Sequence, residues 1–403
     1  MSTKAATATT GVEAQESFWS RVPWEKVPLV VTFVGFLGCI IGYSVDRVPQ
    51  FSHSYLVAFM FFLSIALGGL FMVIIHHLFD AWWSVPIRRV SEQLACLLPW
   101  MVLFFIPIWF MAKELYPWMS MKPGESHSLD IKSGMFNEST WFIVSVALFA
   151  IWGLWSHKLR GWSLKQDETG AAECTIYMRR WSASGIFVFA FTLTAGAIFW
   201  VKSQEHQWFS TMYGVYYFAG SVWVTLGTTY AIALVMKRTD TIPIIAREQL
   251  HCIAQWLFAF TVFYAYIHFS QYFLQWNAAM PEETFWYAKR EQGTWAYVCW
   301  VIILGHFLVP FLTLLRIDAK LSLGIMIPVI GWVWLMHYTD MVFNIMPLIH
   351  KDGPALHISD IAAVLFIGGG LTLIFLHNFR KHAPFPQKDP RMGEVLKNQA
   401  HSH

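Results

Sequence analysis

The sequence predicts an all-α integral membrane protein with about ten transmembrane helices. Hydrophobic residues make up 56% of the 403 residues and charged residues only 13%, whereas soluble domains carry about 25% charged residues. Ten apolar stretches are long enough to cross a bilayer core, which takes roughly 20 residues per helix. Because lipid offers no hydrogen bonds to the backbone, these stretches should be helices.

The predicted spans follow one another in order, and charged residues bound several of them. Glu92 and Lys113 flank the third span, and Arg180 and Lys202 flank the fifth. No Asp, Glu, Lys or Arg lies near the middle of a span, so we expect the polar chemistry at the two membrane faces. The spans cover residues 27–45, 54–76, 93–112, 139–156, 181–201, 213–236, 250–274, 294–315, 321–339 and 361–379.

Basic residues in the connecting segments predict the orientation of the chain. The side that holds both termini carries 20 Lys and Arg residues and the other side carries 8. By the positive-inside rule both termini are cytoplasmic, and we expect a multi-pass chain of the inner (cytoplasmic) membrane. Residues 1–26 lack the apolar core of a signal peptide and are predicted to form a polar tail.

An internal repeat predicts the domain organisation. Segment 92–104 (EQLACLLPWMVLF) and segment 248–260 (EQLHCIAQWLFAF) share six identical residues at an offset of 156 positions, and Arg160 and Arg316 match at the same offset. The units lie four helices apart and therefore insert in the same direction. The predicted units are a tail (1–26), a peripheral helix (27–53), two parallel-repeat four-helix bundles of helices 2–5 (54–205) and 6–9 (206–345), a second peripheral helix (346–380) and a tail (381–403).

The first group of candidate site residues lies at the cytoplasmic ends of the second and third spans. Its members are His76, His77, Asp80, Arg88, Arg89 and Glu92. His76 and Asp80 are four residues apart and would share a helix face. One hypothesis is a proton-uptake mouth. The alternative is an ion-pair network that orients the helix ends.

The seventh span carries two polar stripes that point to nearly opposite faces at about 100° per residue. Glu248 and His251 lie in the cytoplasmic stripe and are proton-path candidates. The periplasmic stripe and the loop after it contain candidates for a quinone head group, and the alternative for them is polar packing between the bundles. These quinone candidates are Tyr264, His268, Gln271 and Glu282.

A third group of proton-path candidates is predicted toward the periplasmic side. His337 and Asp340 lie at the end of the ninth span, and His306 lies deeper in the eighth. Histidine titrates near neutral pH, so a His–Asp pair can pass protons. The alternative for His306 is a hydrogen bond to a neighbouring helix. Between the membrane faces only hydroxyl groups are expected, namely Thr192, Thr194, Ser221, Thr225, Thr228 and Thr229.

The sequence offers no ligand set for a metal, haem or iron–sulfur cluster. Its five cysteines form no CxxC or CxxCH motif, which argues against covalent haem and local zinc or cluster sites. We expect no paired histidines at matched depth for a bis-histidine haem. A net charge of +3 is too small to indicate a nucleic-acid partner.

Four runs of the sequence resemble a known family. The runs at 269–290 (FSQYFLQWNAAMPEETFWYAKR) and 305–320 (GHFLVPFLTLLRIDAK) resemble the polysulphide-reductase membrane subunits, the NrfD-like family. The runs at 76–94 (HHLFDAWWSVPIRRVSEQL) and 206–220 (HQWFSTMYGVYYFAG) resemble, more specifically, the F subunits of bacterial alternative complex III, a quinol:electron-acceptor oxidoreductase. The resemblance covers roughly residues 50–380.

The resemblance implies a respiratory role in a multisubunit complex. It implies a ten-helix subunit without a redox centre, beside partners that carry haem c and Fe–S clusters: a multihaem cytochrome c, an Fe–S/molybdopterin-like subunit and sister NrfD-like subunits. Menaquinol or another quinone is the possible ligand, and lipids surround the chain. Two other hypotheses stay open, a secondary transporter and a purely structural anchor. Transporters usually have broken helices and charges at the midplane.

Overall fold

The protein is all-α. In a computed structural model, which describes residues 26–401, the chain folds into helices and contains no strand within that range. Ten helices are long and apolar enough to cross a membrane, so the predicted fold class is confirmed. They are α1 (Lys26–Val45), α2 (Val48–Leu78), α3 (Trp82–Phe110), α4 (Glu138–Thr169), α5 (Glu173–Trp200), α6 (Tyr213–Arg238), α7 (Arg247–Ala278), α8 (Trp295–Leu314), α9 (Leu323–Leu348) and α10 (Ile358–Arg380).

The two ends of the helix assembly are distinguished by the chain termini. Because ten helices cross in alternate directions, α1 begins and α10 ends on the same side, which we call the tail side. The opposite side is the loop side. The predicted tail at residues 1–26 lies outside the described residues except for its last residue, whereas residues 381–401 fold against the tail side and end in a short helix, Met392–His401.

The helices pack as two four-helix bundles. In the first, α2 and α4 both contact α3 and α5, and in the second, α6 and α8 both contact α7 and α9. Each set of four therefore closes on itself, as the sequence repeat predicts. The paired helices α1 and α10 lie outside and pack against α2.

Helices α2 and α6 form the boundary between the bundles. Their apolar windows are 89% and 78% buried, against 50% or less for every other span. The two backbones approach closely at Gly68, where an added Cβ would lie 2.1 Å from the Thr225 hydroxyl oxygen. A residue with a side chain at this position would force the helices apart, so glycine sets the distance between the bundles.

Several helices are longer than the sequence predicted. We expected the fourth span to end at residue 156, but α4 continues to Thr169 and has 32 residues. At about 1.5 Å per residue this is longer than the bilayer core, so its polar end projects from the membrane on the tail side. The ninth span was expected to end at residue 339, but its helix continues to Ile345.

Candidate functional site

A group of polar side chains is buried where α2, α6, α7, α8 and α9 meet. Each of them is at most 5% exposed, and we call the group the central polar cluster. Its members are Ser64, Tyr216, Tyr264, His306, His337, Asp340 and Asn344. Buried polar groups must be paired or hold water to be stable, so the contacts of this cluster are informative about its role.

Hydrogen bonds connect most of the cluster. The Ser64 hydroxyl oxygen lies 2.9 Å from Nε2 of His337. The Tyr216 hydroxyl donates to Oδ1 of Asp340 and accepts from Tyr264 at 3.3 Å. Nδ2 of Asn344 donates to the Tyr216 hydroxyl at 3.0 Å. Side chains of α2, α6, α7 and α9 thus form two hydrogen-bonded groups. One joins Ser64 to His337, and the other joins Asp340 to Tyr216 and its partners.

The titratable members keep polar atoms without partners. Both ring nitrogens of His306, Nδ1 of His337 and Oδ2 of Asp340 have no hydrogen-bond partner among the described residues. An unsatisfied buried polar atom costs about 1–3 kcal/mol. Such a concentration of unpaired nitrogens and oxygens is a place for ordered water, a proton or an ion.

His306 is held by aromatic stacking rather than by hydrogen bonds. Its ring lies between Trp223, with centroids 3.8 Å apart, and Tyr264, with centroids 3.6 Å apart. The sequence-based alternative of a hydrogen bond to a neighbouring helix is therefore not what the structure has. The two rings fix the plane of the imidazole and leave its nitrogen-bearing edge uncommitted.

A π-helical turn positions His306. Residues Ile303–Leu308 are π-helical within α8, and such turns occur often at functional sites. Pro310 has no N–H to donate to the carbonyl of His306, which weakens the regular ladder here. The carbonyl of Gly305 instead accepts a hydrogen bond from Nε1 of Trp332 at 2.7 Å. These two features explain locally why the helix widens at the histidine.

The cluster extends from the middle of α2, α7 and α8 to the loop-side ends of α6 and α9, which corrects the expectation that polar chemistry sits only at the two faces. Ser64 is next to the midpoint of α2, and Asp340 lies inside α9 because that helix continues to Ile345. His306 was expected deeper than His337 and Asp340, yet potential ligand atoms of all three lie within 4.8 Å of one another. The hydrogen bond from the Tyr216 hydroxyl stabilises the carboxyl group of Asp340 at this buried position.

The same three residues have the donor chemistry of a transition-metal site. Two imidazoles and one carboxylate are common zinc ligands, at bond lengths of about 2.0–2.2 Å. In the structure Nε2 of His337 is hydrogen-bonded to Ser64, and Oδ1 of Asp340 is hydrogen-bonded to Tyr216. Such hydrogen bonds are typical of a proton relay. That the chain binds no metal, haem or cluster stays a prediction.

The tail-side candidates form a buried ion-pair network. Nε of Arg88 lies 3.2 Å from Oε1 of Glu92, and Nη1 of Arg89 lies 2.8 Å from Oε2. Arg88 also pairs with Asp389 at 2.5 Å, and Arg89 pairs with Asp167. The arginines are fully buried. This geometry agrees with the alternative hypothesis, in which ion pairs orient the helix ends.

The C-terminal segment supplies partners that the sequence analysis missed. Asp389 and Arg391 were assigned to the C-terminal tail, but Asp389 is only 3% exposed. Its carboxylate accepts hydrogen bonds from Nε and Nη2 of Arg391 at 3.0 and 2.9 Å. Burial alone would raise the pKa of Asp389, but the hydrogen bonds from Arg391 and the charges of Arg391 and Arg88 outweigh it and hold the pKa well below its usual range. No local pattern around residue 389 reveals a partner 301 positions away.

The expected pairing of His76 with Asp80 on one helix face is wrong. Helix α2 ends at Leu78, and Asp80 has a positive φ of 55° in the turn that follows. Its carboxylate pairs with Arg179 and, at 3.0 Å, with Arg391. His76 and its neighbour His77 are buried with no hydrogen-bond partner for any ring nitrogen among the described residues.

The candidates on α7 are divided among separate places. Glu248 and His251 lie half-buried at the tail side, each with one polar atom that has no partner among the described residues. Tyr264 belongs to the central polar cluster, and His268 lies beside it at 3.5 Å from the Tyr264 hydroxyl.

The rest of the quinone set lies nearer the loop side. Gln271 accepts from Ser210 and donates to Tyr287, both at 3.1 Å. Glu282 is exposed on the helix Pro281–Arg290. Gln271 therefore takes part in polar packing, and the four quinone candidates do not line one pocket.

The predicted hydroxyl groups fall into two sets. Thr192 accepts from Trp152 at 2.9 Å inside the first bundle. Thr225 on α6 donates to the carbonyl of Ile65 at 3.0 Å, at the level of the cluster. Thr229, one turn further toward the tail side, is buried, and its hydroxyl has no partner among the described residues.

The comparison with known proteins adds no relative: no protein-family model matches the chain, and no curated protein matches it. The resemblance to NrfD-like subunits stays a prediction from the sequence. What is established is a multi-pass, all-α membrane protein with a polar cluster buried between its helices.

Proposed function

We propose that this chain is a membrane subunit of a quinol-oxidising respiratory complex of the alternative complex III type, and that it carries protons across the membrane. The observation that carries the proposal is the central polar cluster, in which His306, His337 and Asp340 keep unpartnered atoms buried between membrane-spanning helices. Ionisable groups in such places are costly and usually functional.

The loop-side half of the path is a hydrogen-bonded series. The hydroxyl of Tyr213, at the start of α6, donates to Asn344 at 3.1 Å. Asn344 donates to Tyr216, which donates to Asp340. Within this series the Tyr216 hydroxyl and the Asp340 carboxyl exchange protons directly, whereas the amide of Asn344 orients the two tyrosines and does not itself relay a proton. Asp340 and the two histidines can hold a proton between transfers.

The tail-side half is longer and less polar. Ser64 and His76 are twelve residues apart on α2, which is about 18 Å at 1.5 Å per residue. The hydroxyls of Thr225 and Thr229 lie between them on α6. A proton crossing this distance needs ordered water beside these hydroxyls. In this proposal protons enter the path at His76 and His77. The buried ion-pair network and the C-terminal residues Asp389 and Arg391 surround this entry.

The two alternatives make different demands on the cluster. A purely structural anchor gains nothing from unpartnered buried imidazoles, because apolar residues of the same size would pack better. A secondary transporter needs a substrate cavity near the midplane, and the central cluster is filled by stacked rings. A proton relay needs no cavity beyond that of single water molecules.

The class of complex is tested by purification at native stoichiometry. The full-length chain with an affinity tag is extracted in a mild detergent, and the co-purifying chains are identified by mass spectrometry. We expect a multihaem cytochrome, an Fe–S subunit and quinol oxidation by the purified assembly. The tagged chain expressed alone should show no Soret band. Isolation of the chain as a homo-oligomer, without haem proteins in its native membrane, would contradict the proposal.

A further inference from the structure

A cavity of about 270 Å³ opens at the tail side between α3, α4 and the end of α10. Its walls include Pro99 and Trp100 from α3, and Gly161 from α4. An added Cβ at Gly161 would meet no atom within 4 Å, so the absence of a side chain there keeps the cavity open. The cavity is separate from the central polar cluster and borders the tail-side ion-pair network through Arg160, which lies 3.8 Å from Glu92.

Basic side chains from α4 and from the two residues directly after α10 line this cavity. They are Arg160, His157, Lys381 and His382, and no acidic residue lines it. The Arg160 side chain is only 11% exposed, and its nearest carboxylate oxygen, on Glu92, is 3.8 Å away. Neither Nη nitrogen of Arg160 has a hydrogen-bond partner among the described residues.

Arg160 has no carboxylate within hydrogen-bonding distance among the described residues. Glu92 already accepts hydrogen bonds from Arg88 and Arg89. Burial, and then the positive charges of Arg160, Arg89 and Lys381, lower the pKa of His382. Glu168 acts in the opposite direction on this pKa. The lining itself, with Arg160, Lys381, two histidines and no carboxylate from the described part of the chain, favours an anion as the occupant.

The surface beside the cavity is apolar and faces outward from the bundle. Trp100 is 44% exposed and Leu103, one turn further into the membrane, is 55% exposed. Tryptophan is typical of the level where lipid head groups meet acyl chains. An anion bound to Arg160 would thus lie at head-group depth with an apolar helix face directly below it.

We propose that this cavity is a binding site for the head group of an anionic phospholipid. The phosphodiester is held by Arg160 and Lys381, and an acyl chain runs along Trp100 and Leu103. Basic pockets between transmembrane helices on the cytoplasmic side suit such head groups, and guanidinium groups bind phosphate oxygens by charge-assisted hydrogen bonds. A free phosphate ion would satisfy the cations but not the apolar surface.

The test measures lipid binding to the full-length protein purified with its co-purifying chains. Delipidated samples are titrated with dioleoylphosphatidylglycerol, with dioleoylphosphatidylethanolamine and with inorganic phosphate, and bound molecules are counted by native mass spectrometry. The variants are Arg160→Gln, which removes the charge, and Gly161→Leu, which fills the cavity and keeps every charge. Arg316→Gln is the matched control, because Arg316 is the repeat counterpart of Arg160 and its side chain is 79% exposed.

We expect one phosphatidylglycerol molecule to bind to the wild type and to Arg316→Gln with equal affinity. Both cavity variants should bind it about tenfold more weakly, Arg160→Gln because it loses roughly one charge-assisted contact and Gly161→Leu because its side chain occupies the cavity. Equal binding of the ethanolamine lipid, or unchanged binding by a folded Gly161→Leu, would overturn the proposal. Equally strong binding of inorganic phosphate alone would also overturn it. So would an acidic segment of a co-purifying chain that cross-links to residues of the cavity.

Discussion

Substitution of Asp389 by Asn is expected to release the C-terminal segment from the tail side. The carboxylate and its partner Arg88 are both completely buried and 2.5 Å apart. Removal of one partner from a buried ion pair usually costs 3–5 kcal/mol, and because Arg88 keeps Glu92 at 3.2 Å we expect the lower end of that range. Even 3 kcal/mol raises the population of the undocked segment about 100-fold, since each 1.4 kcal/mol is a factor of ten.

Limited proteolysis measures this population directly. Trypsin reaches the buried Arg391 only when the segment is undocked, and the rate of cleavage after Arg391 then follows the open fraction. We expect cleavage of Asp389→Asn at least tenfold faster than that of the wild type. Asp318→Asn is the matched control, because its ion pair with Arg316 is almost fully exposed and such pairs contribute little. Equal cleavage of all three proteins would refute the assigned role of the buried network.

The same contact has a defined pH dependence. Arg391 and Arg88 hold the pKa of Asp389 below its ordinary value of 3.8, so the docked state binds the proton less readily than the undocked state. Docking is therefore at full strength above about pH 4 and is lost as the pH falls through the docked pKa. Cleavage by an acid-active protease should accelerate in the wild type below pH 4 and change less in Asp389→Asn.

Three further predictions test other parts of the fold. Burial lowers the pKa of Lys202 from 10.5 to about 8. Lys202→Met should therefore raise the free energy of unfolding by up to about 3 kcal/mol at pH 7. Thermal denaturation should show that this gain shrinks as the pH rises from 8 to 10.5. Gly68→Ala should destabilise the protein by about 1–3 kcal/mol in the same assay, because the new Cβ meets Thr225, whereas Gly161→Ala should not. Single cysteines introduced in the 113–138 loop should react with a membrane-impermeant maleimide from the periplasm, and labelling only from the cytoplasm would contradict the predicted orientation.

The bundle architecture could be predicted because it depends on local composition and on a repeat. Apolar length identified all ten spans, and the offset of 156 residues between the EQL segments identified two units in the same direction. The true ends of α4 and α9 could not be predicted in this way. A helix continues beyond the bilayer, or carries a carboxyl group within it, when partners far away in the sequence stabilise it, as Tyr216 does for Asp340.

The site residues could be predicted individually but not as an arrangement. The sequence marked His306, His337 and Asp340, yet placed them at different depths. Their convergence depends on the π-helical turn in α8 and on the full length of α9, neither of which has a clear local pattern. Tyr216 and Ser64 were missed because a tyrosine or serine in an apolar helix is ordinary until its partner is known. Pro310, four residues after His306, is a weak local signal of the π turn.

The ratio of protons released to electrons transferred tests the central claim most directly. The purified complex, reconstituted in liposomes, oxidises quinol while a pH-sensitive dye reports protons, in the wild type, in Asp340→Asn and in the exposed control Asp130→Asn. If the central polar cluster carries protons, Asp340→Asn assembles fully but its ratio falls to that of the quinol chemistry alone, and the control keeps the wild-type ratio. An unchanged ratio and unchanged turnover in fully assembled Asp340→Asn would contradict the account.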